Sequence, residues 1–118
     1  MDATDLHRGV EEAFNRGDVD ALVALYEPRA YMVRDDGSLA EGTDAIREVW
    51  NGFVALGGQI QMTTQFVVEH DDVALLSNTW TFEGAGMTLS ATTAEVARRA
   101  SDGAWRYVID NPFGLTSA

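Results

Sequence analysis

The chain has 118 residues, 46% of them apolar, and nineteen acidic against eight basic side chains give it a formal charge of −11. That length supports one domain with its own core, and the negative charge repels phosphate backbones and anionic lipid surfaces, so neither nucleic acid nor membrane is an expected partner. No cysteine is present, which excludes disulfides, thiolate zinc sites and cysteine nucleophiles. The two histidines, His7 and His70, are too few for a histidine-rich metal cluster. No stretch approaches the ~20 apolar residues of a membrane span, and no basic region leads into an apolar run at the start, so a cytoplasmic protein is expected.

Residues 4 to 16 set Leu6, Val10, Ala13 and Phe14 at helical spacing and end at Gly17, a glycine suited to a helix C-cap. His7 falls outside that stripe and reads as exposed. Asp18 opens a short second helix with Leu22, Leu25 and Tyr26 inward, stopped by Pro28. Residues 29 to 34 read as a strand ending at the turn Asp35-Asp36-Gly37, and residues 38 to 41 as a second short strand. A third helix follows Gly42, with Thr43 as N-cap and Ile46, Val49, Trp50 and Phe53 along one side; Gly57-Gly58 ends it. Beyond Gln59 only strands are expected, over residues 59 to 69, 73 to 82 and the two arms of a hairpin spanning 87 to 114. The break at His70-Asp71-Asp72 reads as a solvated turn rather than a metal site.

The last hairpin organises the rest. Its turn, Ala100-Ser101-Asp102-Gly103, combines an Asp that bonds its own backbone with a Gly that accepts positive φ. A four-residue loop pairs Arg99 with Ala104, which sets Thr93 opposite Asp110 and Glu95 opposite Val108 on one face, and Trp105, Tyr107 and Ile109 on the other. Pairing of Phe82 with Met87 adds Trp80, Asn78 and Leu76 to the face of Thr93 and Glu95. Helices first and a curved antiparallel sheet after them make an α+β arrangement in one domain, residues 1 to 118. One helical layer covers one sheet face, so the face with Ala94, Val96, Trp105, Tyr107 and Ile109 is expected to meet a second subunit in a homodimer.

Several stretches carry a family likeness: Ala13-Phe14-Asn15-Arg16-Gly17-Asp18-Val19-Asp20-Ala21-Leu22 with Leu25-Tyr26, the Gly42-Thr43-Asp44-Ala45-Ile46 helix start, Glu95-Val96 with Arg98-Arg99, and Trp105 to Asp110 with Pro112-Phe113-Gly114. In these the chain resembles the SnoaL-like, or nuclear transport factor 2-like, superfamily, and within it small bacterial proteins related to ketosteroid isomerases. The resemblance implies a cone-shaped α+β barrel of the cystatin-like type, with a curved sheet wrapped around the N-terminal helices and a deep pocket between them. It places Met32, Arg34, Trp50, Phe53, Leu76, Asn78, Trp80, Ala91, Thr93, Glu95, Val108 and Asp110 near that pocket. Ketosteroid isomerases use an Asp base with a Tyr and a protonated Asp as oxygen-binding donors. By the resemblance the base position falls on Arg34, or on Asp35 or Asp36 if the turn shifts, the tyrosine position falls on Val10 or a neighbour without a hydroxyl, and only the acidic donor has a counterpart, Glu95.

Two carboxylates in mid-strand must be paired, hydrogen-bonded or set in a wet cavity. Glu95 and Asp110 are therefore the candidate catalytic pair, one kept protonated and the other ionised. The alternative is a structural ion pair with Arg34 or Arg106, or a carboxylate held by the Trp80 indole and backbone amides. Arg34 offers a planar fork for an anionic oxygen, against a lid-strand arginine that faces solvent or pairs with Asp35 or Asp36. Trp50, Phe53 and Trp80 form a flat wall for a ligand or part of an ordinary core, with Asn78, Trp80 and Thr93 placed to orient what binds. The expected protein is a pocket protein for a small apolar molecule. It is either a cofactor-independent isomerase, cyclase or hydrolase of an apolar carbonyl compound, using no metal, or a non-catalytic ligand-binding or assembly module on the same fold.

Overall fold

In the computed structural model, which describes residues 2 to 114, two helices lead into the first strands. These are α1 (Asp5–Asn15), α2 (Val19–Val23), β1 (Tyr26–Val33) and β2 (Leu39–Glu41). A third helix, α3 (Gly42–Val54), precedes β3 (Gln59–His70), β4 (Val73–Gly84), β5 (Met87–Thr92), β6 (Ala94–Arg99) and β7 (Trp105–Asn111). The Asp18 carboxylate accepts from Ala21 N at 3.0 Å and caps α2 as its sequence position requires. That helix stops at Val23, so Tyr26 opens β1 instead of closing the inner stripe of α2. Helix α3 starts two residues earlier than expected: Gly42, at φ +86°, turns the chain straight out of β2 and leaves Thr43 inside the first turn rather than at the cap.

The sheet has strand order β2-β1-β7-β6-β4-β3, with β5 continuing beside the far half of β4. It is not wholly antiparallel, because β1 and β7 run parallel, their ladder broken between Tyr26 and Tyr31. Pro28, with no N–H to donate, lies in that gap. Helix α3 packs on β1 and β2 at one edge, and α1 packs on β3 at the other. To reach helices at both edges the sheet must curve around them; it stays unclosed, an α+β fold rather than a complete barrel. Phe14 of α1 centres the core, its ring 5.9 Å from Trp50, 6.1 Å from Phe53 and 6.1 Å from Phe82. Where the chain leaves α3, a Cβ on Gly58 would run into the Phe82 ring and the Glu83 carbonyl, so the entry into β3, close against the end of β4, requires glycine.

The β6-β7 hairpin departs from the expected register twice. The loop takes in Ala104, because Asp102 Oδ1 accepts from Ala104 N at 2.9 Å and Gly103 adopts φ +86°, so Arg99 pairs with Trp105. Between Val96 and Ala97 the ladder shifts again, since Ala97 faces Tyr107 while Val96 faces Ile109, leaving Val108 as the extra residue of a β-bulge. The two shifts together preserve parity at the far end. Glu95 and Asp110 are direct partners on the inner face, although Thr93 and Val108 were the expected partners. Between the turn and the bulge only the loop shift acts, which reverses parity there, so Trp105 and Tyr107 turn into the core at 4% and 1% exposure, while Ile109, beyond the bulge, stays outside at 42%. The expectation that Trp105 and Tyr107 share the outer face with Ile109 is thereby corrected.

The outer face is apolar through other residues. Tyr31 pairs with Ile109, Ile109 with Val96, Val96 with Leu75 and Leu75 with Val68, one register row across five strands. Among the described residues no helix is long and apolar enough to cross a membrane.

Candidate functional site

Between the helices and the inner face of the sheet lies a cavity of about 590 Å³. Helix α1 contributes Val10, α3 contributes Trp50 and Phe53, and β3 contributes Ile60 and Met62. The far wall is Trp80, Thr93, Glu95, Tyr107 and Asp110, and Arg34 and Asp35 stand among the rim residues. Seven expected site residues therefore border one space: Arg34, Trp50, Phe53, Trp80, Thr93, Glu95 and Asp110.

Asn78, the eighth, does not reach the cavity. It is fully buried behind the wall, where its Nδ2 donates to Glu95 Oε2 at 3.0 Å and to Thr93 Oγ1 at 3.1 Å. Its neighbour Trp80 lines the space but donates its indole N–H to the Pro112 carbonyl at 2.7 Å, so it offers a ring face and no hydrogen bond to a ligand. Of the further residues the resemblance placed near the pocket, Met32 lines it, whereas Leu76, Ala91 and Val108 do not. Arg34 is held at the rim by bonds from Nη1 to Leu39 O at 2.8 Å and to Ser38 Oγ at 3.2 Å. Asp36 is spent within the turn, accepting from Ser38 N at 2.9 Å.

Neither carboxylate pairs with Arg34 or Arg106. Glu95, 3% exposed, meets His7 Nε2 through Oε1 at 2.8 Å, and His7 Nδ1 meets Thr64 Oγ1 at 2.8 Å. His7 was expected in solvent and is 3% exposed instead. Its spacing to Val10 and Phe14 is that of one helix face, and this was the signal to read: the buried stripe of α1 is wide enough to include it. Asp110 Oδ2 accepts from the Tyr26 hydroxyl at 2.6 Å. Burial, then the nearby Glu95 charge, pushes the Asp110 carboxyl up to about 7, against the lowering effect of the Tyr26 bond.

Sequence reasoning also missed both tyrosines of the site. Tyr26 was assigned to a helix and Tyr107 to the outer face, yet their rings pack 5.1 Å apart beside Asp110. Burial and then the Asp110 charge raise the Tyr26 phenol well above its ordinary range. Burial, then Glu95, then Asp110 do the same for Tyr107. The Trp50 indole N–H points toward Tyr26 without hydrogen-bond geometry. His70 is in solvent at the β3-β4 turn.

A family model described as SnoaL-like domain matches residues 7–108. Among solved structures, the chain is similar to an NTF-2 like protein of unknown function from Shewanella oneidensis at 20% identity and TM-score 0.80, with 92% of this chain and 93% of that one covered. It is similar to a ketosteroid isomerase-like protein from Erwinia carotovora at 20% identity and TM-score 0.75, covering 95% and 92%. A third likeness is to a cystatin-like fold protein of unknown function from Nostoc punctiforme, at 16% identity and TM-score 0.78, covering 92% and 84%. At these identities the likeness speaks to fold alone. No curated protein matches.

Proposed function

The chain belongs to the SnoaL-like domain family, and on that premise we propose that its cavity binds a small, mostly apolar carbonyl compound and moves a proton on it by carboxylate acid-base chemistry. The observation that carries this reading is the pair Glu95 and Asp110, register partners buried in the wall of an otherwise aromatic and aliphatic cavity. A carboxyl that titrates near 7 can take up and return a proton at neutral pH, and Asp110 is that group. Tyr26 fixes one of its oxygens, and Glu95 supplies the charge that keeps it weakly acidic. Removal of a proton beside the carbonyl leaves an enolate and a neutral Asp110; return of that proton at another carbon completes an isomerisation, with side chains alone as reagents. Arg34 at the mouth adds the positive charge that steadies an anionic oxygen there.

One observation favours a second reading. Both Glu95 oxygens are already engaged, by His7 and by Asn78, as in a structural network, and this suits a module that sequesters a ligand without turning it over. A screen of cyclic ketones and enones separates the two. For an enzyme, Asp110→Asn lowers turnover at least about 100-fold while binding persists, and Glu95→Gln lowers it as well. Undiminished turnover in both variants removes the acid-base role, and binding without turnover in the wild type selects the module.

The protein is further proposed to be a homodimer through the outer row from Tyr31 to Val68, since an apolar band across five strands is the kind of surface a second copy covers. Light scattering at micromolar concentration should give twice the chain mass of 12.8 kDa, and Leu75→Glu should return it to that mass. A wild-type monomer contradicts the assignment.

A further inference from the structure

We propose that the cavity also takes an apolar amine as its ammonium ion, held by a charged hydrogen bond to Asp110 Oδ1 with its hydrocarbon body among the rings of Trp50, Phe53 and Trp80. This rests on the reading of the cavity as a ligand site and is independent of any turnover of a carbonyl compound.

Of the carboxylate oxygens of Glu95 and Asp110, all but one are spent. Glu95 Oε1 meets His7 Nε2 at 2.8 Å, Glu95 Oε2 accepts from Asn78 Nδ2 at 3.0 Å, and Asp110 Oδ2 accepts from the Tyr26 hydroxyl at 2.6 Å. Asp110 Oδ1 has no partner among the described residues, and it is not sealed within the protein as the Tyr107 hydroxyl and the Trp50 indole nitrogen are. Asp110 is 5% exposed and borders the cavity. A carboxylate oxygen placed so is an acceptor whose donor the ligand must bring.

The charge of the lining favours a cation. Its charged side chains are Arg34, Asp35, Glu95 and Asp110, and the guanidinium is held at the rim by Leu39 O and Ser38 Oγ. The titratable groups set against Asp110 are Glu95 of β6, Tyr26 of β1 and Tyr107 of its own strand, and both phenols stay neutral. His7 of α1 bonds Glu95 and not Asp110. Burial of the carboxylate is already met in folding, so an arriving ammonium gives up its own hydration alone. It recovers a charge-assisted bond in a site of low dielectric, together with the pull of aromatic faces on a cation. It also offsets the Glu95 charge that helps to keep the proton on Asp110, so amine binding and ionisation of Asp110 favour each other.

The test uses 2-(aminomethyl)naphthalene, a cation at both pH 6 and pH 8, beside its neutral counterparts 2-ethylnaphthalene and 2-(hydroxymethyl)naphthalene, with affinities from calorimetry. At pH 8 the wild type should bind the amine at least about tenfold more tightly than either neutral probe. With the Asp110 carboxyl at about 7, its ionised share falls from about nine-tenths at pH 8 to about one-tenth at pH 6, so the amine should weaken about tenfold between them. At pH 6 its binding should release most of a proton, read from the heats in two buffers of different ionisation enthalpy. In Asp110→Asn the three affinities should fall within about twofold and the proton release should vanish, with the hydrocarbon bound as before. An amine bound no better than the neutral probes, or a preference that survives Asp110→Asn, overturns the assignment and leaves the cavity as a ligand site. Binding of none of the three removes the cavity reading and this assignment with it. Should Asp110→Asn fail to fold, the wild-type heats decide, because amine binding at pH 6 without proton release overturns the proposal.

Discussion

Tyr107 and Ile109 stand two residues apart on one strand, the spacing that normally puts two side chains on the same face, yet one is 1% exposed and the other 42%. The comparison extends to the two faces of the sheet. On the inner face, Glu95 and Asp110 meet a histidine, an amide and a tyrosine; one residue away, Val96 and Ile109 form part of an unbroken apolar row on the outside. The bulge at Val108 separates a strand that would place Trp105 and Tyr107 outside from one that buries both. Alternation along a strand assigns faces only as far as the ladder is regular, and here the irregularity lies at the candidate site.

The largest effect that can break this contrast is truncation of the buried ring. Tyr107→Ala removes an aromatic side chain that is 1% exposed and should cost about 3–5 kcal/mol, whereas Ile109→Ala, at 42% exposure, should cost about 1 kcal/mol or less. Urea denaturation checks this, and equal losses at the two positions would show that the bulge does not separate the faces.

Next come the two histidines, one inside and one outside. His7→Leu leaves the buried Glu95 carboxylate without its imidazole and should cost about 3–5 kcal/mol. The exposed His70, whose Nε2 is 3.6 Å from Asp71, should tolerate the same change within about 0.5 kcal/mol. Comparable losses at both positions would deny the inner pair its weight.

The smallest effect is a slope. The folded Asp110 carboxyl keeps its proton to about pH 7, while its ordinary value is 3.8. The native state therefore binds more protons than the unfolded chain across that window, and stability falls as pH rises through it. Asp110→Asn should flatten the slope and raise stability at pH 8 by of order 2 kcal/mol, in melting curves taken from pH 4 to pH 8. A variant that keeps the wild-type slope places the titration elsewhere.

Much of the candidate site was legible before any coordinates. Thr93, Glu95 and Asp110 were grouped by counting outward from short loops, and the grouping survived because two one-residue shifts, at Ala104 and at Val108, restored each other's parity; Trp80 stayed with them because Phe82 pairs with Leu89 instead of the expected Met87, a two-residue offset that keeps parity. Tyr107 was misplaced by the same count, since it lies between the shifts and feels only one of them. His7 was misplaced for another reason: a polar side chain on an apolar helix face reads as exposed until a buried carboxylate is found opposite it. Asn78 was assigned to the right face but lies one layer behind the cavity wall, because facing the interior and reaching a cavity differ by what stands in front.

Local chemistry in the chain was enough to determine the helices, the turns at Asp18, Asp102 and Gly103, the α+β order and the acidic pair in the last hairpin, because each depends on neighbours a few residues away. What only the tertiary structure decided was the parallel contact of β1 with β7, which brings Tyr26 to Asp110, and the bulge that brings Tyr107 beside them. Both join residues far apart in sequence, or shift a count by one, and no local pattern of side chains records either.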